Sequence, residues 1–92
     1  MKGELRWLGA AFIDFVTGDG KRILFDPWTA TEGNGSCPYG HDAFADADLI
    51  LVSHDHFDHI GSAAPLCKAT HALLGGPDES MKRLCREEGL KP

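Results

Sequence analysis

The chain has 92 residues, of which 42% are hydrophobic and 25% are charged, and its formal net charge is −5. A chain of this length forms at most one small domain, which buries only about 60% of the surface exposed by its unfolded form, so its stability is expected to be marginal. The excess of acidic residues repels phosphate backbones at long range. Nucleic acid is therefore not the expected partner.

The sequence predicts neither a membrane span nor a secretion signal. No apolar run approaches the roughly 18 residues that cross a bilayer, and the first four residues do not lead into a signal-peptide core. Cys37, Cys67 and Cys85 are widely spaced and include no C-x-x-C pair, so we expect reduced thiols rather than disulfides or a zinc ribbon. These observations predict a cytoplasmic protein.

The first part of the chain predicts a three-stranded antiparallel meander. Residues 5–8 and 11–16 are typical of two strands, the second alternating apolar and variable positions. Asp19-Gly20 favours a tight hairpin turn, so residues 21–25 should return antiparallel to the second strand. Asp26-Pro27 then ends the sheet, because proline has no N–H for the ladder.

Residues 28–46 predict a long surface loop. They are rich in Gly, Thr, Ser, Asn and Pro, and show no hydrophobic period. Such loops are usually functional or mobile. The loop contains Trp28, Tyr39, His41 and Phe44, which could wall a substrate cleft or simply anchor the loop. Cys37 and His41 could form an accessory metal site, although no further ligand is near them in sequence.

The second half of the chain predicts alternating strands and helices. Residues 48–53 favour a strand buried on both faces, because four consecutive positions are apolar. A helix is predicted over residues 60–68, in which Pro65 is tolerable only in the first turn. A strand is predicted over 69–74, where His71 is more typical of a packed histidine than of a ligand.

The last predicted element is a helix over residues 79–88, with Asp78 as its cap and Gly89 as its stop. Met81, Leu84 and Cys85 would lie on one face of this helix. Cys67 and Cys85 are both predicted to be small core residues.

The main chemical signal follows the predicted fourth strand, in the run Ser53-His54-Asp55-His56-Phe57-Asp58-His59. In an extended segment, residues two apart point the same way, so His54 and His56 can direct their imidazoles to one point. Asp58 and His59 follow as the chain turns. Three imidazoles and a carboxylate suit Zn²⁺, Mn²⁺ or Fe²⁺, whereas Ca²⁺ and Mg²⁺ prefer oxygen. The alternative is a solvated loop whose histidines bind nothing.

Two segments resemble a known family. Residues 48–61, DLILVSHDHFDHIG, resemble the signature of the metallo-β-lactamase superfamily, and LFDPW at 24–28 resembles the strand that precedes it there. The pattern RWLGAAFIDF…GKRILFDPW is similar to the metal-dependent hydrolase branch that includes ascorbate-6-phosphate lactonase-like proteins. That branch commonly places a histidine after the first-strand glycine, where this chain has Ala10.

The resemblance implies an α/β fold, the αββα sandwich. Residues 1–92 would form a single partial domain, the N-terminal half of the sandwich, with a mixed sheet and a helix after the metal loop. Such a domain usually has about 200 to 250 residues, so the chain would cover about the first 40%. The second sheet would be missing, which would leave an apolar sheet face through which the chain could form a homo-oligomer.

The resemblance also implies roles for individual residues. His54 and His56 would bind a first metal ion, and Asp58 and His59 a second, with Asp58 also a candidate general base. Members of the superfamily use one or two metals to lower the pKa of a bound water, giving a hydroxide that attacks the substrate. Asp26 would support the ligand loop by a hydrogen bond to one of its histidines, or it is an ordinary turn aspartate. The remaining ligands would come from downstream segments.

Three hypotheses about function follow. The first is the N-terminal part of a metal-dependent hydrolase that acts on a lactone, ester or phosphoester. The second is a non-catalytic module that binds one metal, in a site that a second copy could complete across a dimer. The third is a structural fragment whose histidines bind no metal.

Overall fold

The computed structural model describes residues 3–53, 61–70 and 72–88. The described strands are β1 (Glu4–Trp7), β2 (Ile13–Val16), β3 (Arg22–Phe25), β4 (Leu49–Leu51) and β5 (Leu73–Gly75), and the described α-helices are α1 (Ala63–Ala69) and α2 (Asp78–Glu88). Ala30–Glu32 and His41–Phe44 form short 3₁₀ helices. The predicted ligands His54, His56, Asp58 and His59 lie outside these residues, as do His71, Gly89 and the side chains of Asp78 and Cys85.

The strands form one mixed sheet in the order β1-β2-β3-β4-β5, which confirms the predicted α/β class. The predicted meander is also confirmed, because β1 and β2 pair antiparallel, as do β2 and β3. In the β2–β3 turn, the Thr17 N–H donates to the Lys21 carbonyl at 2.8 Å. Gly20 has a φ of 90° there, a conformation that favours glycine. The sheet strand β3 ends at Phe25, as Asp26-Pro27 predicted.

The strands β3, β4 and β5 are parallel, with Phe25, Leu51 and Gly75 at matching register positions. Helix α1 connects β4 to β5 and begins at Ala63, later than predicted, with Pro65 in its first turn. The predicted strand over 69–74 is wrong at its start, because Ala69 is still helical. The Thr70 hydroxyl donates to the Leu66 carbonyl at 2.8 Å and accepts from the Ala72 N–H at 3.1 Å, which ends the helix before β5 can begin.

The hydrophobic core lies between one face of the sheet and the segments that cover it. Leu24 and Ile50 contribute from the sheet, Phe12 from the β1–β2 turn, Phe44 from the loop and Leu66 from α1, and all five are fully buried. The predicted surface loop therefore also supplies core residues. No described helix is both long enough and apolar enough to cross a membrane.

The opposite face of the sheet is entirely apolar and is not covered by the described residues. Cross-strand pairing places nine large apolar side chains on it: Leu5, Trp7, Ile13, Phe15, Ile23, Phe25, Leu49, Leu51 and Leu73. None of them is buried, and Leu5, Trp7 and Leu73 are 65%, 68% and 74% exposed. The prediction that β4 is buried on both faces is wrong here, since Leu49 and Leu51 have no second layer above them in the described chain. This is the arrangement expected of half a sandwich.

Candidate metal centre

The His- and Asp-rich segment begins at the carboxyl edge of the parallel strands. β4 is the middle strand of the parallel group β3-β4-β5, and Ser53 follows it after Val52. The carboxyl ends of parallel strands meet at one edge of a sheet, where α/β proteins commonly bind ligands. Asp26 follows β3 at this edge, and Gly76 follows β5. Residues 54–60, the predicted ligand segment, continue from this point and lie outside the described part of the chain.

Asp26 holds the residue that precedes the first predicted ligand. Its carboxylate accepts hydrogen bonds from the Ser53 N–H and from the Ser53 hydroxyl, each at 2.5 Å. The Asp26 N–H donates to the Leu51 carbonyl at 2.8 Å. Asp26 is 6% exposed, and its φ is 49°, a left-handed conformation that Asp tolerates better than most residues. Backbone strain of this kind clusters at functional sites.

Gly76 approaches the same strand end from the other side. A Cβ atom at Gly76 would lie 2.9 Å from the Val52 carbonyl oxygen and 2.9 Å from Cε of Met81. The backbone leaving β5 can thus lie against the backbone that enters the ligand segment only because residue 76 has no side chain. The residues that follow β3 and β5, the two strands beside β4, therefore both contact the chain where it leaves β4.

Ser62 lies just after the ligand segment and is fixed there by hydrogen bonds to the chain that follows β3. Its N–H donates to the Pro27 carbonyl at 3.1 Å, and its hydroxyl accepts from the Thr29 N–H at 2.9 Å. The Ser62 and Thr29 hydroxyl oxygens lie 3.4 Å apart, and both residues are fully buried. Ser62 precedes α1 as its N-cap residue, yet its side chain makes no capping bond to that helix. Sequence reasoning did not single out Ser62 or Thr29.

Asn34 is a second residue that sequence reasoning missed. Its side-chain amide donates to the Leu8 carbonyl at 3.1 Å and to the Trp28 carbonyl at 2.7 Å, and its Oδ1 accepts from the Ser36 N–H at 3.0 Å. Asn34 is 3% exposed. One buried amide thus attaches the loop to both the β1–β2 turn and the segment after β3. Its only sequence signal was its position in a glycine-rich run.

The aromatic residues of the loop serve as anchors. The Phe44 ring is fully buried and lies 5.2 Å from the Phe12 ring, centroid to centroid. Tyr39 meets Phe44 edge-on at 6.2 Å, and the Arg6 guanidinium lies 5.1 Å from the Tyr39 centroid. The indole N–H of Trp28 donates to the Glu32 carbonyl at 2.9 Å. Of the two interpretations of the loop aromatics, anchoring is therefore the one that these contacts support.

Cys37 and His41 do not assemble a metal site within the described residues. The Cys37 thiol contacts the Tyr39 carbonyl at 3.3 Å, whereas Nε2 of His41 lies 3.1 Å from a carboxylate oxygen of Glu32. No three His, Cys, Asp or Glu side chains converge anywhere in the described ranges. Cys67 packs against the core as predicted, and burial raises the pKa of its thiol, which favours the neutral form.

A buried ion cluster lies on the core-facing side of the sheet. The Asp14 carboxylate has no exposed side-chain surface and lies 2.6 Å from Arg6 and 3.5 Å from Arg22. The hydrogen bonds that the Arg6 guanidinium donates to the Asp14 carboxylate raise the pKa of Arg6, so that side chain stays charged. Arg22 also donates to the Ala43 carbonyl at 2.8 Å. The cluster joins the first three strands to the end of the loop.

Comparison with known proteins assigns the chain to a family. The sequence profile of the beta-lactamase superfamily domain matches residues 4–86. The chain therefore belongs to the beta-lactamase superfamily. The resemblance of residues 24–28 and 48–61 to that superfamily is thus confirmed.

The curated relatives are named metal-dependent hydrolases. A UPF0173 metal-dependent hydrolase of Caldivirga maquilingensis is 39% identical over 89 residues, which are 97% of this chain and 37% of the relative. Another, from Herpetosiphon aurantiacus, is 45% identical over 73 residues, which are 78% of this chain and 30% of the relative. The chain thus spans about a third of the length of these relatives.

A solved structure shares the fold. The metallo hydrolase Igni18 of Ignicoccus hospitalis aligns with a TM-score of 0.75 and 26% identity, over 90% of this chain and 35% of its own. The described sheet and helices therefore correspond to about a third of a larger metallo hydrolase.

Proposed function

We propose that the chain supplies the first part of a divalent-metal centre in a hydrolase that acts on small molecules. The observation that carries this proposal is the two hydrogen bonds, each 2.5 Å long, that the Ser53 N–H and hydroxyl donate to the Asp26 carboxylate. A buried carboxylate in a left-handed conformation is used to fix the residue next to His54. Such a costly arrangement is expected where the following residues must be held in place.

The donor set fits a borderline divalent cation. His54 and His56 would hold one ion, and Asp58 and His59 a second, with Zn²⁺ as the preferred ion and Mn²⁺ or Fe²⁺ as alternatives. When bound, such an ion lowers the pKa of water and polarises the oxygen of the group under attack. Asp58 would accept a proton from the attacking water at a carboxylate oxygen. Asp26 would orient the ligand segment through Ser53.

The substrate class that we propose is a lactone, an ester or a phosphoester, following the resemblance to lactonase-like proteins. The net charge of −5 makes a nucleic acid partner unfavourable, and we place the reaction in the cytoplasm. The remaining ligands would lie in the two thirds of the relatives' length that this chain does not span. One observation favours a second candidate, a metal-binding module completed by another copy: the uncovered apolar face could bind a partner sheet.

A chimaera tests the catalytic proposal. Residues 1–92 would replace the 37% of the Caldivirga maquilingensis relative that this chain matches. The chimaera should hydrolyse lactones, esters or phosphodiesters in a chelator-sensitive way, whereas the 92-residue chain alone should do little better than free metal. Asp58→Ala should abolish most of the turnover, and Asp55→Asn, a change at a neighbouring carboxylate without a proposed role, should leave it.

Circular dichroism would report whether each chimaera folds. A folded chimaera without turnover would contradict the proposal. Saturable turnover by the 92-residue chain, lost on Asp58→Ala, would contradict the claim that its site is incomplete and would favour a centre completed within a dimer.

A further inference from the structure

We infer that Thr29 and Ser62 are positioning residues of the metal centre, which hold the downstream end of the ligand segment in place. The inference rests on the proposed function, because it assigns these two residues to the centre formed by His54, His56, Asp58 and His59. We call the hydrogen bonds of Ser62 to Pro27 and Thr29 the clasp.

The argument begins with where the two ends of the ligand segment are attached. Ser53 bonds to Asp26 at the upstream end, and Ser62 bonds to Pro27 and Thr29 at the downstream end. Asp26 and Pro27 are consecutive, so their Cα atoms are only about 3.8 Å apart. The nine residues after Ser53 could span about 30 Å if extended. Both ends are thus closed onto one short stretch after β3, with every predicted ligand between them.

The clasp is buried and is not explained by the needs of helix α1. A serine at an N-cap normally accepts a bond from the first turn of its own helix. The Ser62 side chain makes no such bond and instead accepts from the Thr29 N–H, across 33 residues of sequence. Removing the Ser62 hydroxyl would leave that N–H buried without its acceptor. The serine at position 62 therefore serves the contact between the segment after β3 and the chain that follows the ligand segment.

Thr29 continues the same connection into the loop. Its hydroxyl accepts from the Thr31 N–H at 3.2 Å and so caps the 3₁₀ helix Ala30–Glu32. Thr29 thus joins Ser62, which follows the ligand segment, to the first turn of the loop. Its full burial leaves little room for the clasp to shift.

A closed segment should bind metal more tightly than an open one. Ordering a loop around an ion costs conformational entropy. A loop whose ends are already fixed has less conformational freedom to lose when the ion binds. Groups that hydrogen-bond metal ligands directly change metal affinity by about 10-fold to 100-fold, so residues that act through the backbone of the segment should act at the lower end of this range. Breaking the clasp should therefore weaken metal binding although all four proposed ligands remain.

The test is a Co²⁺ titration of the 92-residue chain followed by visible absorption, with thermal unfolding of the metal-free protein beside it. Ser62→Ala should raise the Kd for Co²⁺ by about 10-fold. The matched control is Ser80→Ala in α2, since Ser80 is also a buried serine, 2% exposed, but lies outside the clasp. Ser80→Ala should leave the Kd unchanged even if it lowers the Tm.

Equal Co²⁺ affinities of wild type and Ser62→Ala would overturn the inference and leave the proposed function standing. Absence of Co²⁺ binding by the wild type would overturn both. If Ser62→Ala does not fold, amide hydrogen exchange of the wild type decides the question. Saturation with metal should slow exchange of the Thr29 and Ser62 amides, because linkage is reciprocal. Unchanged exchange at both amides would overturn the inference.

Discussion

At the scale of single residues, Asp14 shows how the core-facing side of the sheet accommodates charge. Its register partners are Arg6 and Leu24, so it shares its face with the core residues rather than with solvent. The carboxylate is fully buried between two arginines. A buried carboxylate destabilises the fold unless it is paired with a cation. Removing one partner of such a pair lowers stability, because the other charge stays buried without compensation. Asp14 therefore stabilises the pairing of the strands that precede the predicted ligand segment.

We expect Asp14→Ala to lower the free energy of unfolding by about 2 kcal/mol, less than for a fully buried pair because Arg6 remains partly exposed. Asp14→Asn, which keeps the shape and loses the charge, should cost less. Urea denaturation measures both, with Asp42→Ala at an exposed aspartate as the control. An unfolding free energy of Asp14→Ala equal to that of the control would argue against a structural role for the cluster.

Local sequence patterns mark some of the proposed site residues, whereas residues that act through long-range hydrogen bonds carry no such mark. The spacing of His54, His56, Asp58 and His59 suggests metal chemistry without any structure, and Asp26 stands out because it precedes a proline at a strand end. Ser62 bonds to a residue 33 positions away and Asn34 to one 26 positions away. The residues next to Ser62 and Asn34 in sequence give no indication of these distant partners.

At the scale of elements, the order of strands and helices was predictable because hydrophobic period and turn residues mark it. The ends of elements were not. Helix α1 ends at Ala69, where the Thr70 hydroxyl bonds to the Leu66 carbonyl, and β5 begins only at Leu73. The strand had been predicted to begin at residue 69. The loop of residues 28–46 was predicted from its composition, but its buried anchor Phe44 depends on an aromatic contact with Phe12 in the β1–β2 turn.

At the scale of the whole molecule, the uncovered face of the sheet determines how the isolated chain should behave. Four apolar positions in a row led to the prediction that β4 is buried on both faces, and that prediction presumed a second layer. Leu51 is only half-buried in the described chain. An exposed face of nine large apolar side chains is an association site, since covering it removes apolar surface from water.

We therefore expect the 92-residue chain to self-associate through this face. Leu5→Lys combined with Leu73→Lys should shift it towards monomer, because both side chains lie on this face at its two edges and are 65% and 74% exposed. Ala45→Lys, at an exposed position of the loop, is the matched control. Sedimentation over a concentration series measures the effect. A compact wild-type monomer would contradict it.

The central claim is that the segment after β4 binds a divalent metal, and calorimetric titration of the 92-residue chain with Zn²⁺ tests it most directly. Wild type should bind Zn²⁺, though more weakly than a centre with all its ligands, because each missing ligand removes part of the binding free energy. The double variant His54→Ala, His56→Ala should lose that binding, whereas His41→Ala, which removes an imidazole from the loop, should keep it. Equal Zn²⁺ binding by wild type and the double variant would contradict the account.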